Sequence, residues 1–281
     1  AVRDRVSPEE WETRVNLAAL YRLVAKHGLT DLTATHISAR IPGTDNQFLL
    51  NPLGLLFSQV TASNLVKVDL DGNILDGDYP VNAAGYTIHS AVHAARHDVD
   101  CVAHTHTPAG MAVSALPEGL LPLTQQSMRF YRRTAYHDYE GIALDLDERE
   151  RLVRDLGDKS LMMLRNHGVL VCGRTIRHAW VLLYRLEKVC KAQLAAMATG
   201  AKLVFPSAET CEKAYQQFEH GDRSYACSTA MIPPGATEEG RHAHGPRRPA
   251  ARDPLRPRQG QPGGMADARR SRRALPARRE I

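Results

Sequence analysis

Along the first two hundred residues the apolar positions switch repeatedly between a helical and an extended pattern. A chain that interleaves the two without an internal repeat is expected to fold as an α/β domain. Ser7-Pro8-Glu9-Glu10 supplies an N-cap serine, a proline at the first helical position and an acid at the third. Trp11, Val15, Leu17, Leu20 and Leu23 then carry that helix toward Gly28. Residues 48–50 and 66–70 read as strands, with Asp71-Gly72 turning the chain into a return strand at Asn73-Ile74-Leu75. A helix over 83–96 leads into an extended segment over 101–106. Beyond it come a helix over 147–156, strands over 161–164 and 169–171, and a long helix over 175–199. Asp145, Asp147, Glu148 and Glu150 suit the positive start of the 147–156 helix better than an acid pair.

The pattern stops before the chain does. From Pro233 onward there are twelve Arg, no Lys and five acids, a net +7, whereas residues 1–232 carry −2. The overall +5 and the pI near 9.0 therefore belong to the tail. That segment also holds eight of the sixteen Pro and six of the twenty Gly, has no aromatic residue, and offers only Leu255, Met265, Leu275 and Ile281 as large aliphatics. Too little apolar surface is available to offset the ordering entropy, so a folded domain is expected over 1–222 and a disordered Arg/Pro/Gly-rich tail over 223–281. An Arg-rich arm can bind nucleic acid or anionic lipid, or serve only as a solvated tail. Arginine without lysine among Pro, Ala and Gly is also what GC-rich DNA encodes out of frame. We read a frameshift or truncation between about 222 and 233, and with it the charge argument for a nucleic-acid partner falls away.

No apolar run approaches the roughly twenty residues that span a bilayer, and the opening AVRDRVSPEEW lacks the apolar core of a signal peptide. A soluble cytoplasmic protein with no membrane partner is expected. The five cysteines have no CxxC spacing and read as reduced packing residues.

Histidines carry the chemistry. In Val102-Ala103-His104-Thr105-His106 two imidazoles lie two residues apart on an extended segment, and the strand period points both to one face. Strand packing favours apolar residues at such positions, so a shared cation accounts for the pair better than packing does. His167, in Arg165-Asn166-His167-Gly168 at the mouth of an apolar strand, is a third candidate ligand. His89 and His93, four apart on the 83–96 helix, are expected to face different neighbours and not to form a second metal pair.

Six motifs occur in order: Gly28-Leu29-Thr30, Thr35-His36-Ile37-Ser38-Ala39-Arg40, Asn51-Pro52-Leu53-Gly54-Leu55, His104-Thr105-His106-Thr107-Pro108, Tyr136-His137-Asp138-Tyr139-Glu140-Gly141 and Arg165-Asn166-His167-Gly168. Together they resemble the class II aldolase/adducin family over about residues 8–205, and look more like the adducin head and its bacterial relatives than like the sugar-phosphate aldolases. The resemblance implies a three-layer α/β/α domain with a mainly antiparallel sheet, a homotetramer with sites at subunit interfaces, and a divalent ion on His104, His106 and His167. Zinc is the first choice, with Fe(II) or Mn as alternatives. His36 stands where the aldolases carry Asn in a phosphate-contacting turn, and with Ser38, Asn51 and Gly54 it is expected to line the pocket of a small-molecule substrate.

The departures are equally informative. The catalytic acid of some members would fall nineteen residues ahead of His104, on Gly85, where Asn82-Ala83-Ala84-Gly85-Tyr86 offers neither a carboxylate nor the hydroxyls that cradle a phosphate. Tyr131, His137 and Tyr139 are the remaining candidates for proton transfer. The expected activity is a metal-dependent lyase that cleaves a carbon–carbon bond through an enediolate, on an unphosphorylated or differently anchored hydroxy- or keto-carbonyl compound. Three neutral histidines leave the ion's charge uncompensated and favour a carboxylate. Two alternatives stand beside it: a non-heme Fe(II) oxygenase or decarboxylase acting on a 2-keto acid with the same three histidines, and a non-catalytic adducin-like assembly domain with actin contacts.

Overall fold

The computed structural model describes residues 1–141 and 147–226; Asp145, Cys227 and the expected tail from residue 227 onward lie outside the described residues, while residues 223–226 end a helix. The chain builds an eight-stranded sheet flanked on both faces by helices, a three-layer α/β/α domain. Its strands are β1 (His36–Arg40), β2 (Gln47–Leu50), β3 (Val66–Asp69), β4 (Ile74–Asp76), β5 (Cys101–Thr105), β6 (Thr134–His137), β7 (Leu161–Leu164) and β8 (Gly168–Gly173), in the order β4-β3-β2-β1-β5-β8-β7-β6. Among the described residues only the β6–β7 pair is parallel.

The period of two along the strands divides the core. Ile37 and Ala39 of β1, Cys101 and Ala103 of β5, Leu161 and Met163 of β7, and Val169 and Val171 of β8 pack with α1 (Pro8–Lys26), α3 (Pro108–Ser114) and α5 (Ile176–Ala198). Val102, Met162, Leu164, Leu170 and Cys172 point the other way, onto Ile88 and Val92 of α2 (Ala83–Ala95) and Leu152 and Leu156 of α4 (Glu148–Leu156). The central strands are thus buried on both faces, which is why β5, β7 and β8 read as near-continuous apolar runs.

Local chemistry sets the element ends. Ser7 Oγ accepts from the Glu10 amide at 3.1 Å and Pro8 occupies the first turn of α1. Asp69 Oδ1 accepts from the amides of Asp71 and Asn73, which fixes the β3–β4 turn. A last helix, α6 (Ala208–Ala226), packs on the 3₁₀ turn Ser127–Phe130, with Arg129 stacked over the Phe218 ring. No helix among the described residues is long and apolar enough to cross a membrane.

The expected turn at His36 is a strand: His36 opens β1, with Ile37 and Ala39 in the α1-side core. Residues 134–137 add β6 in parallel register with β7. β1 alternates polar and apolar residues, but over only five positions the pattern is too short to set it apart from a turn.

Candidate metal centre

Three elements bring the ligand set together. β5 supplies His104, the first residue beyond it supplies His106, and the turn between β7 and β8 supplies His167. That turn is tight: Asn166 takes a positive φ of 56°, and the His167 amide donates to the Leu164 carbonyl at 3.1 Å. Gly168 lets β8 approach, because a Cβ there would lie 2.6 Å from the Thr105 carbonyl oxygen and 3.0 Å from the His106 ring.

The three Nε2 atoms converge. His104 Nε2 lies 2.8 Å from His106 Nε2, which lies 3.0 Å from His167 Nε2. Their opposite ring atoms settle the protonation. His104 Nδ1 is 3.0 Å from the Val169 carbonyl and His106 Nδ1 is 3.0 Å from Asp31 Oδ2; both partners only accept, so both protons sit on Nδ1. With each Nδ1–H directed outward, the Nε2 lone pairs of the neutral rings face one point. A cation at that point satisfies them together, and an all-imidazole donor set suits Zn²⁺ or Fe²⁺. Burial, and then the neighbouring rings, hold His104 well below the usual histidine range, and burial with His106 lowers His167 to about 4, so both stay neutral as ligands must.

The centre opens into a cavity of about 420 Å³ lined by His36, Asn82, Ala83, Ala84, Tyr139 and Gly141, among others, together with the three histidines. His36 is paired directly across the β1–β5 ladder with His104, their ring centroids 5.0 Å apart. Tyr139 is half-exposed, with its ring 6.2 Å from that of His167.

The other residues singled out from the sequence lie elsewhere. Ser38 is buried beneath α2, where its Oγ meets His89 Nδ1 at 2.5 Å and His93 Nε2 at 2.8 Å. His89 and His93 therefore share one partner, contrary to the expectation that they face different neighbours; positions four apart lie on one helix face, and here that face looks down on β1. Asn51 Oδ1 is buried and accepts from the Tyr21 hydroxyl at 2.9 Å, and Gly54 occupies a turn at φ 88°. His137 Nδ1 meets Asp155 Oδ2 at 2.8 Å, with Glu148 3.5 Å from its Nε2. Ser38, Asn51, Gly54, Tyr131 and His137 do not line the cavity. Asp31 was not legible in the sequence, since it sits in a loop 75 positions before its partner with no spacing signal.

The chain belongs to the class II aldolase and adducin family: the family profile for the class II aldolase and adducin N-terminal domain matches residues 15–194. Among solved structures, an aldolase II superfamily protein from Pseudomonas syringae is 59% identical with a TM-score of 0.75, covering 77% of this chain and 89% of that one. L-fuculose 1-phosphate aldolase from Glaciozyma antarctica is 29% identical with a TM-score of 0.68, covering 78% of this chain and 88% of that one. Alpha-adducin from Rattus norvegicus is 43% identical over 191 residues, 66% of this chain but 26% of the adducin.

Proposed function

We propose that the protein is a metal-dependent lyase that cleaves a carbon–carbon bond in a small hydroxy- or keto-carbonyl compound, with a carboxylate as the preferred anion. The observation that carries this reading is the convergence of three imidazole Nε2 atoms at the mouth of a cavity. His104, His106 and His167 would hold the ion, Zn²⁺ first and Fe(II) or Mn²⁺ as alternatives. An ion held there would supply Lewis acidity to a substrate carbonyl.

The protein's own residues define the rest. Among the described residues lining the cavity there is no Lys or Arg, and Asn82, Ala83 and Ala84 present no hydroxyl. Apart from the Tyr139 hydroxyl at the rim, the described lining offers a phosphate no hydroxyl and no cationic side chain, which favours an unphosphorylated substrate over the sugar phosphate named for the Glaciozyma relative. Tyr139 stands at the rim, placed to exclude water from a bound ligand. We place the protein in a homo-oligomer, a tetramer by family resemblance, in the cytoplasm.

The test is a screen of unphosphorylated 4-hydroxy-2-keto acids, with pyruvate release measured after loading with Zn²⁺, Mn²⁺ or Fe²⁺. Turnover that needs the ion and fails in His106→Ala and His167→Ala is expected. Protein that binds none of the ions would contradict the reading. A second reading, a non-catalytic assembly domain, draws on the identity to alpha-adducin; actin co-sedimentation by protein without lyase activity would favour it. Oxygen uptake with 2-keto acids on Fe²⁺ loading would favour the oxygenase alternative.

A further inference from the structure

Position 85 lacks the acid that some relatives carry, and the structure shows what fills its place. A Cβ on Gly85 would lie 2.5 Å from His36 Cδ2, 2.7 Å from Cγ and 3.0 Å from Nε2. The imidazole of His36 thus occupies the space into which a side chain at 85 would grow. It cannot move aside cheaply, because Nδ1 is tied to His89 Nε2 at 2.9 Å and the ring packs on His104.

Behind it runs a buried polar chain: His36 Nδ1 to His89 Nε2, His89 Nδ1 to Ser38 Oγ, and Ser38 Oγ to His93 Nε2. All four side chains are at most 3% exposed. His89 Nδ1 and His93 Nε2 both meet Ser38 Oγ, and His93 Nδ1 closes no hydrogen bond among the described residues. The chain holds the His36 ring through its Nδ1 and leaves Nε2 as the hydrogen-bonding atom of a ring that lines the cavity.

We propose that His36 is a substrate-contacting residue that stands in the space of the missing α2 side chain: its Nε2 hydrogen-bonds the hydroxyl of a small hydroxy carboxylate held at the three-histidine centre. His89, Ser38 and His93 are positioning residues that hold the ring through Nδ1. The exchange of side chain for space between positions 36 and 85 explains how the site keeps a polar group facing the ligand while Gly85 has no side chain, and it makes hydroxyl-bearing ligands the favoured class. The proposal rests on the metal reading above.

Two measurements on the full chain separate the parts. The first is thermal denaturation of metal-free protein: Gly85→Ala lowers Tm in the presence of His36 but raises it in a His36→Ala background, where alanine is simply the better helix former. Loss of that sign reversal overturns the placement of the ring. The second is calorimetric titration of Zn²⁺-loaded protein with glycolate and with acetate. His36→Leu lowers the ratio of glycolate to acetate affinity about tenfold, and His36→Gln, which keeps a hydrogen-bonding group, recovers part of the loss. An equal ratio in wild type and His36→Leu overturns the contact. Failure of the wild type to bind Zn²⁺ overturns the metal reading and the ligand contact with it, and the Tm experiment still decides the steric exchange.

Discussion

Asp31 Oδ2 accepts the Nδ1–H of His106 at 3.0 Å, and so a loop carboxylate fixes which nitrogen of a candidate metal ligand faces the centre. Asp31 is half-exposed while His106 is mostly covered, so the pair works at the edge of the site. Replacing Asp31 by Ala removes the acceptor that holds the ring and frees it to rotate. Such outer partners typically carry 10- to 100-fold in metal affinity, and this exposed one is expected to contribute about tenfold. Competition against a chelator measures it.

Gly168→Ala tests how closely β8 must approach the ligands. The added methyl would meet the Thr105 backbone oxygen at 2.6 Å, and backbone cannot yield without parting β5 from β8. We expect a destabilisation of about 1–3 kcal/mol, read from urea denaturation, together with weaker metal binding. A tolerated alanine with unchanged affinity would show that the hairpin has slack.

Arg14 is fully buried, yet its guanidinium bonds Glu10 at 2.9 Å, Asp76 at 3.0 Å and the Leu65 carbonyl at 2.9 Å. It ties α1 to the β3–β4 edge of the sheet. Arg14→Ala leaves the nearly buried Glu10 with Lys67 alone and Asp76 with Arg5 alone, and is expected to cost about 3 kcal/mol, the low end for a broken buried pair. Arg14→Met with Glu10→Gln should recover much of that loss in the same denaturation assay.

The buried chain behind His36 predicts acid sensitivity. Burial, and then the nearby Arg40, depress His93 from the ordinary 6.5 to about 3, while Ser38, His89 and the stacked Phe48 ring complete its surroundings. A folded-state value below the unfolded one means that the unfolded chain binds the extra proton first. The stability due to neutral His93 is therefore full above about pH 6.5 and is lost progressively as the pH falls toward 3. His93→Gln should flatten the acid limb of urea midpoints measured from pH 7 to 4, by at most about 1.4 kcal/mol per pH unit. An unchanged slope would show that His93 titrates normally.

The parts legible in the sequence were those in which local chemistry and tertiary packing agree. The Ser7-Pro8 cap announces α1, and the two-residue spacing of His104 and His106 places both on one face of an extended segment. β1 hid because its α2-facing residues, His36 and Ser38, are polar although buried; their partners, His89 and His93, are some fifty residues away. The 36/85 exchange is invisible for the same reason: a glycine declares that a side chain is missing, but only the fold shows which ring stands in the space. Asp31 belongs with these, a loop residue whose role exists only once β5 is beside it.

The most direct test of the three-histidine centre is metal content by mass spectrometry of protein purified without chelator, beside His106→Ala and His167→Ala. One divalent ion per chain in the wild type and a large loss in both variants is the predicted result. Metal-free wild type that takes up no Zn²⁺, Mn²⁺ or Fe²⁺, or variants that bind the ion as well as the wild type does, would contradict it.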